Sequence, residues 1–243
     1  MSTLHRLRVC SFNVGMWTDG TRPGLTADEI TGRCAAWEKL LNRYHPDLLL
    51  CEEATLFLDK AGTAAAYPTL FARHFPCCWS PQDCGAPLTK EILLLSRFPI
   101  LHPRVLSFSG GSGRPLVSFE TDVGGKTVRF FVTHLSIEAH SGGIRQQDLT
   151  ELAALLRECG SGVLTGDFNT YSIQEFERPF SGLPMANHGV FGDIETWPHV
   201  SSVGSWNKCL DNIIVTPDIT MENVFSDDAD LSDHRPLFAD LLI

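Results

Sequence analysis

Polar clusters interrupt the apolar runs of this 243-residue chain, and their side chains are those of acid–base and cation chemistry. Asn13 closes Ser11-Phe12-Asn13-Val14-Gly15, and Glu52 and Glu53 follow Leu48-Leu49-Leu50-Cys51. His134 sits in Thr133-His134-Leu135, and Asp167 and Asn169 flank Phe168. Asp211 lies inside the run Cys209–Val215, and Asp233-His234 precede Arg235-Pro236. Carboxylates and carboxamides hold hard cations through oxygen, and carboxylates and imidazoles orient water and move protons. Asp211 is the most telling single residue, because a lone carboxylate in an apolar run is costly unless paired or bound to a cation. A histidine beside an aspartate, as at Asp233-His234, suits acid–base work near neutral pH. Each cluster also has a plainer explanation. Asn13 fits an ordinary turn, since Asn caps its own backbone; Glu52-Glu53 fits a solvated loop pair; His134 fits a hydrogen-bonded core histidine.

Short runs rich in branched residues supply the scaffold. Leu7 to Val14 reads as a strand, and Thr26-Ala27-Asp28-Glu29 is a capping box opening a helix to about Tyr44, which His45-Pro46-Asp47 ends. Asp47 to Cys51 reads as a strand buried on both faces, since Leu48-Leu49-Leu50 leaves no polar side for water. Ile92 to Ser96 is another, broken by Arg97-Phe98-Pro99. Leu116–Thr121 and Thr127–His134 form a hairpin through Gly124-Gly125. From Ile144 to Glu158, Leu149, Leu152, Ala153 and Leu156 share one helical face, with Gly160 as the cap. Gly162–Thr165, Leu210–Val215 and Pro236–Leu242 are further short strands, with no helix between the last two. The polar clusters thus fall at strand ends, where sheets place ligand-binding groups. Hairpins mixed with helix-separated strands predict an α/β fold: a four-layered sandwich of two packed mixed β-sheets flanked by helices, one domain over residues 1–243.

The net charge of −10 speaks against a broad nucleic-acid surface, whose affinity comes from Lys and Arg neutralising phosphates, but it permits a local phosphate site if a cation is recruited. Met1 to Arg8 carries no apolar signal-peptide run, and no stretch reaches the ~18 apolar residues of a membrane span, so a cytoplasmic monomer is expected. Eight cysteines lie scattered without a Cys-x-x-Cys pair and read as reduced, mostly buried small apolar residues.

Seven pieces, in order along the chain, resemble the endonuclease/exonuclease/phosphatase superfamily, the group containing pancreatic-type deoxyribonucleases, neutral sphingomyelinases and inositol-polyphosphate phosphatases. They are Phe12-Asn13, Pro46 to Glu53, Leu94 to Ile100, Thr133-His134-Leu135, Gly166-Asp167-Phe168-Asn169, Leu210-Asp211-Asn212-Ile213 and Ser232-Asp233-His234-Arg235-Pro236. The resemblance implies a hydrolase that cleaves a phosphodiester or phosphomonoester with activated water and uses Mg²⁺ or Mn²⁺. It makes Glu53 the principal metal ligand, with Asp233 and Asn13 contributing directly or through water. It makes Asp167 the group that orients and deprotonates the water, Asn169 a hydrogen-bond donor to the phosphate and His134 a donor to a phosphoryl oxygen. Asp211 and His234 become a carboxylate–imidazole pair; either Asp167 or His234 is the base.

Departures bear on the substrate. Where apurinic-site endonucleases carry an acidic residue, this chain has Gly15, and Trp206-Asn207-Lys208-Cys209 does not reproduce the Trp-Cys-Asp-Arg of the inositol phosphatases. The Thr-His-Leu setting of His134 is similar to the deoxyribonuclease and sphingomyelinase branches. The expected substrate is a phosphorylated small molecule or a lipid-derived phosphate; a magnesium nuclease is the alternative, disfavoured by charge, and a non-catalytic binding member is disfavoured by retention of all eight site residues. The loops Pro81–Thr89, Ser109–Arg114 and Asn187–His199 are expected to set specificity. Trp197 and Trp206 could stack on a ligand, although packing explains them as simply.

Overall fold

The structure is a computed structural model that describes residues 4–15, 27–54, 66–87, 91–137, 143–170, 173–188, 194–201 and 204–243. Thr26 of the capping box, and Leu88, Thr89 and residues 189–193 of the anticipated specificity loops, lie outside them. Six strands form the first sheet: β1 (Arg6–Asn13), β2 (Leu48–Glu52), β3 (Cys77–Trp79), β4 (Leu93–Ser96), β12 (Thr220–Ser226) and β13 (Leu237–Leu242), ordered β12-β13-β1-β2-β4-β3. The second sheet contains β5 (Leu101–Leu106), β6 (Leu116–Val123), β7 (Lys126–His134), β8 (Gly162–Asp167) and β11 (Asp211–Val215), ordered β11-β8-β7-β6-β5. A separate hairpin pairs β9 (Trp197–Ser201) with β10 (Gly204–Lys208).

Each large sheet is mixed: β1 runs parallel to β2 and β7 parallel to β8, and their other neighbours are antiparallel. A parallel pair needs a crossover. Helix α1 (Ala27–Tyr44) supplies the first and α3 (Ile144–Arg157) the second; α2 (Ala66–His74) and α4 (Ile173–Glu177) complete the outer layers. Trp37, Leu40 and Leu41 of α1 pack with Leu70 and Phe71 of α2 against Cys10, Phe12, Leu49 and Cys51, while Leu149, Leu152, Ala153 and Leu156 cover Phe131, Leu164 and Ile214. Between the sheets lie Leu7, Val9, Leu48 and Leu50 from one and Val128, Phe130, Val132, Val163, Ile213 and Val215 from the other. The four-layered sandwich is therefore the observed fold. The Leu48-Leu49-Leu50 run is apolar throughout because alternate residues enter different cores.

The strands anticipated from sequence are present within one or two residues, and Gly124 and Gly125, at φ 62° and 86°, make the β6–β7 turn that requires left-handed backbone. Gly160 does not cap α3: the helix ends on Glu158 in ordinary helical geometry, φ −76°, whose N–H binds Ala154 O. Only Cys10, Cys51 and Cys209 of the eight free cysteines are buried, so most are not core residues. No helix among the described residues is long and apolar enough to cross a membrane.

Gly166 decides how closely β7 and β8 approach. Its φ is 145°, and an added Cβ would lie 1.9 Å from the backbone oxygen of Thr133, its register partner. Gly166→Ala should lower stability by roughly 3 kcal/mol or more, combining left-handed strain with a backbone clash. Urea unfolding measures it; a loss under about 1 kcal/mol, below the range of either contribution, would show that the strands separate at little cost.

Candidate active site

Strand parity puts the polar residues in one place. Leu7 and Val9 face the inter-sheet core, so Ser11 and Asn13 do too; Leu48 and Leu50 carry Glu52 with them. In the second sheet the same alternation continues Val128, Phe130 and Val132 to His134, Val163 to Asp167 through Thr165, and Ile213 to Asp211. Asp211 begins β11 rather than ending it, but β11 is antiparallel to β8 and pairs Asp211 with Asp167. The parallel β7–β8 register pairs His134 with Asp167. The inner faces that bury branched side chains in their middle thus carry acids, amides and imidazoles at one rim. Asn13, His134, Asp167, Asn169, Asp211 and His234 are buried, and all eight predicted residues join one connected set of contacts.

Asp167 Oδ2 is the hub. It accepts from Asn13 Nδ2 at 3.0 Å and Asn169 Nδ2 at 3.3 Å, and His134 Nε2 and His234 Nε2 stand 3.6 and 3.7 Å away. Its Oδ1 accepts the N–H of Asn169 at 2.9 Å. Burial pushes the Asp167 carboxyl up, His234 pulls it back, and the outcome is about 7. His234 Nδ1 lies 2.8 Å from Asp211 Oδ2. Burial alone would lower this imidazole, but the charges of Asp211 and Asp167 lift it to about 10. His134 moves the other way: burial, then the positive charges of Arg114 and His234, hold it well below its usual range. One histidine is an imidazolium at neutral pH and the other a neutral ring.

Glu53 stands just past β2 at φ 53°, with its side chain 40% exposed where all of the others but Asp233 are buried. Asn13 Nδ2 donates to its Oε1 at 3.1 Å, while Asn13 Oδ1 accepts the N–H of Gly15 at 2.9 Å. That N–H fixes the amide orientation, so Asn13 turns its nitrogen to both carboxylates. A Cβ on residue 15 would lie 2.3 Å from Glu53 Oε2, so a larger residue there would displace that carboxylate. Asp233 is held by Trp197 Nε1 and Ser232 Oγ, both 3.3 Å from its oxygens. The Ser232 hydroxyl also lies 3.1 Å from Gly15 O, bringing the Asp233 segment to the Glu53 side. An accessible carboxylate, with a second acid brought to its side through Ser232, offers the oxygen donors that magnesium or manganese prefers. Asp167, Asp211 and His234 also present donor atoms within 4.8 Å of one another. There, His234 Nδ1 is already engaged with Asp211 Oδ2 at 2.8 Å.

Three contributors were not evident from sequence. Glu52 is not solvated: it is fully buried, with Ser11 Oγ 3.5 Å from Oε1 and no partner on Oε2 among the described residues. Burial, then the charges of Asp211 and Asp167, push its carboxyl well up. Strand parity is the signal that could have found it. Arg114 donates to His134 O at 2.8 Å, and Thr196 Oγ1 accepts the N–H groups of Leu210 and Asp211 at 3.1 Å each. Trp197 orients Asp233, and the Trp206 side chain lies outside the described residues.

Residues 34–234 match the model of the Endonuclease/Exonuclease/phosphatase family, and the chain belongs to that family. Humanized D. rerio TDP2 carrying 14 mutations is 16% identical, with 97% of this chain and 98% of that chain covered at a TM-score of 0.71. Beta toxin from Staphylococcus aureus is 16% identical over 96% and 99% of the two chains, TM-score 0.63. ANGEL2, a 2′,3′-cyclic phosphatase solved with adenosine-2′,3′-vanadate, is 12% identical over 99% and 96%, TM-score 0.71. At such identities the likeness is one of fold. Comparison with curated protein sequences gives no match.

A buried acid with a raised pKa makes a pH prediction. Unfolded glutamate ionises near pH 4.3, whereas folded Glu52 keeps its proton, so wild-type stability falls as pH rises above that point. Glutamine does not titrate. In metal-free buffer, the stability advantage of Glu52→Gln should grow by about 1.4 kcal/mol per pH unit above pH ~4.3 until folded Glu52 ionises. Parallel stability curves from pH 5 to 7 would show that Glu52 ionises in the fold.

Proposed function

We propose that this chain is a single-domain, cytoplasmic, Mg²⁺- or Mn²⁺-dependent phosphoester hydrolase acting on a phosphorylated small molecule or lipid-derived phosphate. The observation that carries the reading is Asp167 Oδ2 ringed by four side-chain nitrogens within 3.7 Å, one of them on the His234–Asp211 pair.

Asp167 is the base. An acid near pKa 7 can both hold a water's proton and release it at neutral pH, whereas an imidazolium near 10 has no lone pair to offer. His234, fixed by Asp211, sets positive charge against the phosphoryl group and has a proton for the leaving oxygen. Neutral His134 turns Nε2 towards the same space and donates to a phosphoryl oxygen. Asn169 reaches Asp167 by the longer of its amide bonds, 3.3 Å against 3.0 Å to Leu135 O, and that is the bond a phosphoryl oxygen would take over. Glu53 and Asp233 hold the divalent ion, which when bound neutralises charge on the phosphoryl oxygens. Asn13 serves it by fixing Glu53, since its own oxygen is turned to Gly15. A TDP2 structure from D. rerio contains a single-strand DNA product, so DNA belongs among the substrates tried.

Hydrolysis of a panel of phosphodiesters, phosphomonoesters, sphingomyelin and DNA should vanish in EDTA and return with magnesium or manganese; full activity in chelator would remove Glu53 from its assigned role. Asp167→Ala and His234→Ala should each lower turnover about 10²–10⁴-fold while circular dichroism stays unchanged. With His234 and Asp211 acting as one unit, their double alanine variant should be no slower than the poorer single. Multiplied losses would give the two residues separate roles. A His234→Ala enzyme keeping more than about a third of wild-type turnover would be too active for an acid–base role.

A further inference from the structure

Arg145, in the first turn of α3, is the largest of the fully buried side chains. The other buried residues of that helix are mostly apolar, and a guanidinium is tolerated in such a place only when its charge is paired and its donors are used. Glu175 of α4 takes Nε at 3.1 Å and Nη2 at 2.5 Å in a two-pronged ion pair. Nη1 donates to two backbone carbonyls, those of Ser136 at 3.2 Å and Asn169 at 2.6 Å. One carbonyl lies two residues beyond His134 and the other two beyond Asp167, so a single nitrogen ties together the segments leaving β7 and β8.

Asn169 needs such an anchor. At φ 47° it sits in left-handed backbone, which a non-glycine residue keeps only when its surroundings hold it. Its N–H binds Asp167 Oδ1 and its amide nitrogen binds Leu135 O and Asp167 Oδ2, all within the site. The hold on its carbonyl comes from the outer helix layer.

We propose that Arg145 is a positioning residue: braced by Glu175 and tied to Ser136 O, it fixes the left-handed Asn169, so that the Asn169 amide meets the phosphate in register. The catalytic half of this proposal rests on the role given to Asn169 above; the clamp rests on the contacts alone. Displacement of a catalytic group by about 1 Å can cost on the order of 10²-fold.

The test uses Arg145→Lys, which keeps charge but loses the fork, Arg145→Met, Glu175→Gln, Asn169→Ala and the Arg145→Lys/Asn169→Ala double variant. Hydrogen exchange by mass spectrometry needs no activity. Peptides spanning 133–137 and 167–170 should exchange at least tenfold faster in Arg145→Lys than in wild type, with β13 unchanged; equal protection overturns the clamp, and Arg145→Met is compared only if it folds. In the hydrolysis assay Arg145→Lys should lower kcat ten- to a hundredfold with KM within threefold, while Glu175→Gln, which leaves both carbonyl bonds, keeps at least a third of kcat. The double variant should be no slower than Asn169→Ala, because Arg145 acts through Asn169. Multiplied losses, or equal losses in Glu175→Gln and Arg145→Lys at matched thermal stability, overturn positioning in favour of general support of the fold. No hydrolysis by wild type on any substrate would sink the proposed function and leave the exchange result to decide the clamp.

Discussion

A desolvated carboxylate has to be surrounded, and the site is organised around meeting that need at Asp167. Its nearest donors come from both halves of the sandwich: Asn13 ends β1 of the first sheet, His134 ends β7 of the second, Asn169 follows β8, and His234 arrives on the segment leading into β13. Asn13 and His234 could not reach Asp167 Oδ2 unless the two sheets closed on each other at this rim. The branched side chains deeper between the sheets supply the closure, and the polar rim fixes how far it goes. Core packing and site geometry are thus set by one inter-sheet distance.

Backbone devices at the strand ends convert that distance into particular side-chain positions. Gly166 lets β8 lie against β7 closely enough for His134 and Asp167 to be register partners. Glu53 and Asn169, both at positive φ, turn their chains immediately after a strand, one to expose a carboxylate and the other to fold an amide back over Asp167. Left-handed non-glycine residues persist where neighbouring bonds over-determine them, and both sit at this rim.

How much of this could be read from the sequence follows from how strongly burial marks each element. β1, β2, β7 and β8 lie in the middle of their sheets with both faces covered, so their branched, apolar runs stand out, and the polar residues closing them stand out in turn. β5 and β12 are edge strands with mostly exposed or half-exposed residues and a register shift in each pairing. No core face imprints an alternation on Leu101-His102-Pro103 or on Thr220-Met221-Glu222-Asn223, and both went unanticipated. The short helices α2 and α4 and the β9–β10 hairpin were missed for lack of any long periodic pattern. Arg145 was illegible for a different reason: an arginine in the first turn of an amphipathic helix looks like a solvated residue until the tertiary fold brings two carbonyls and Glu175 to it.

Glu52, Glu53, Asp167, Asp211 and Asp233 could not share this rim if all were charged and alone, since like charges at short range in a poorly solvated space repel strongly. The geometry divides them. Glu52, fully buried, is pushed towards its neutral acid; Asp211 is matched by the His234 imidazolium; and Asp167, near 7, stands at the point of gaining or losing a proton. Glu53 and Asp233 lie on the Gly15 side, where Glu53 opens to solvent. In the proposed function, protons balance the buried half and a divalent ion the open half, with Asn13 bonded to Asp167 on one side and Glu53 on the other. A phosphate, repelled by a chain of net charge −10, would then meet positive charge at the seam between the halves, within reach of the Asp167 base.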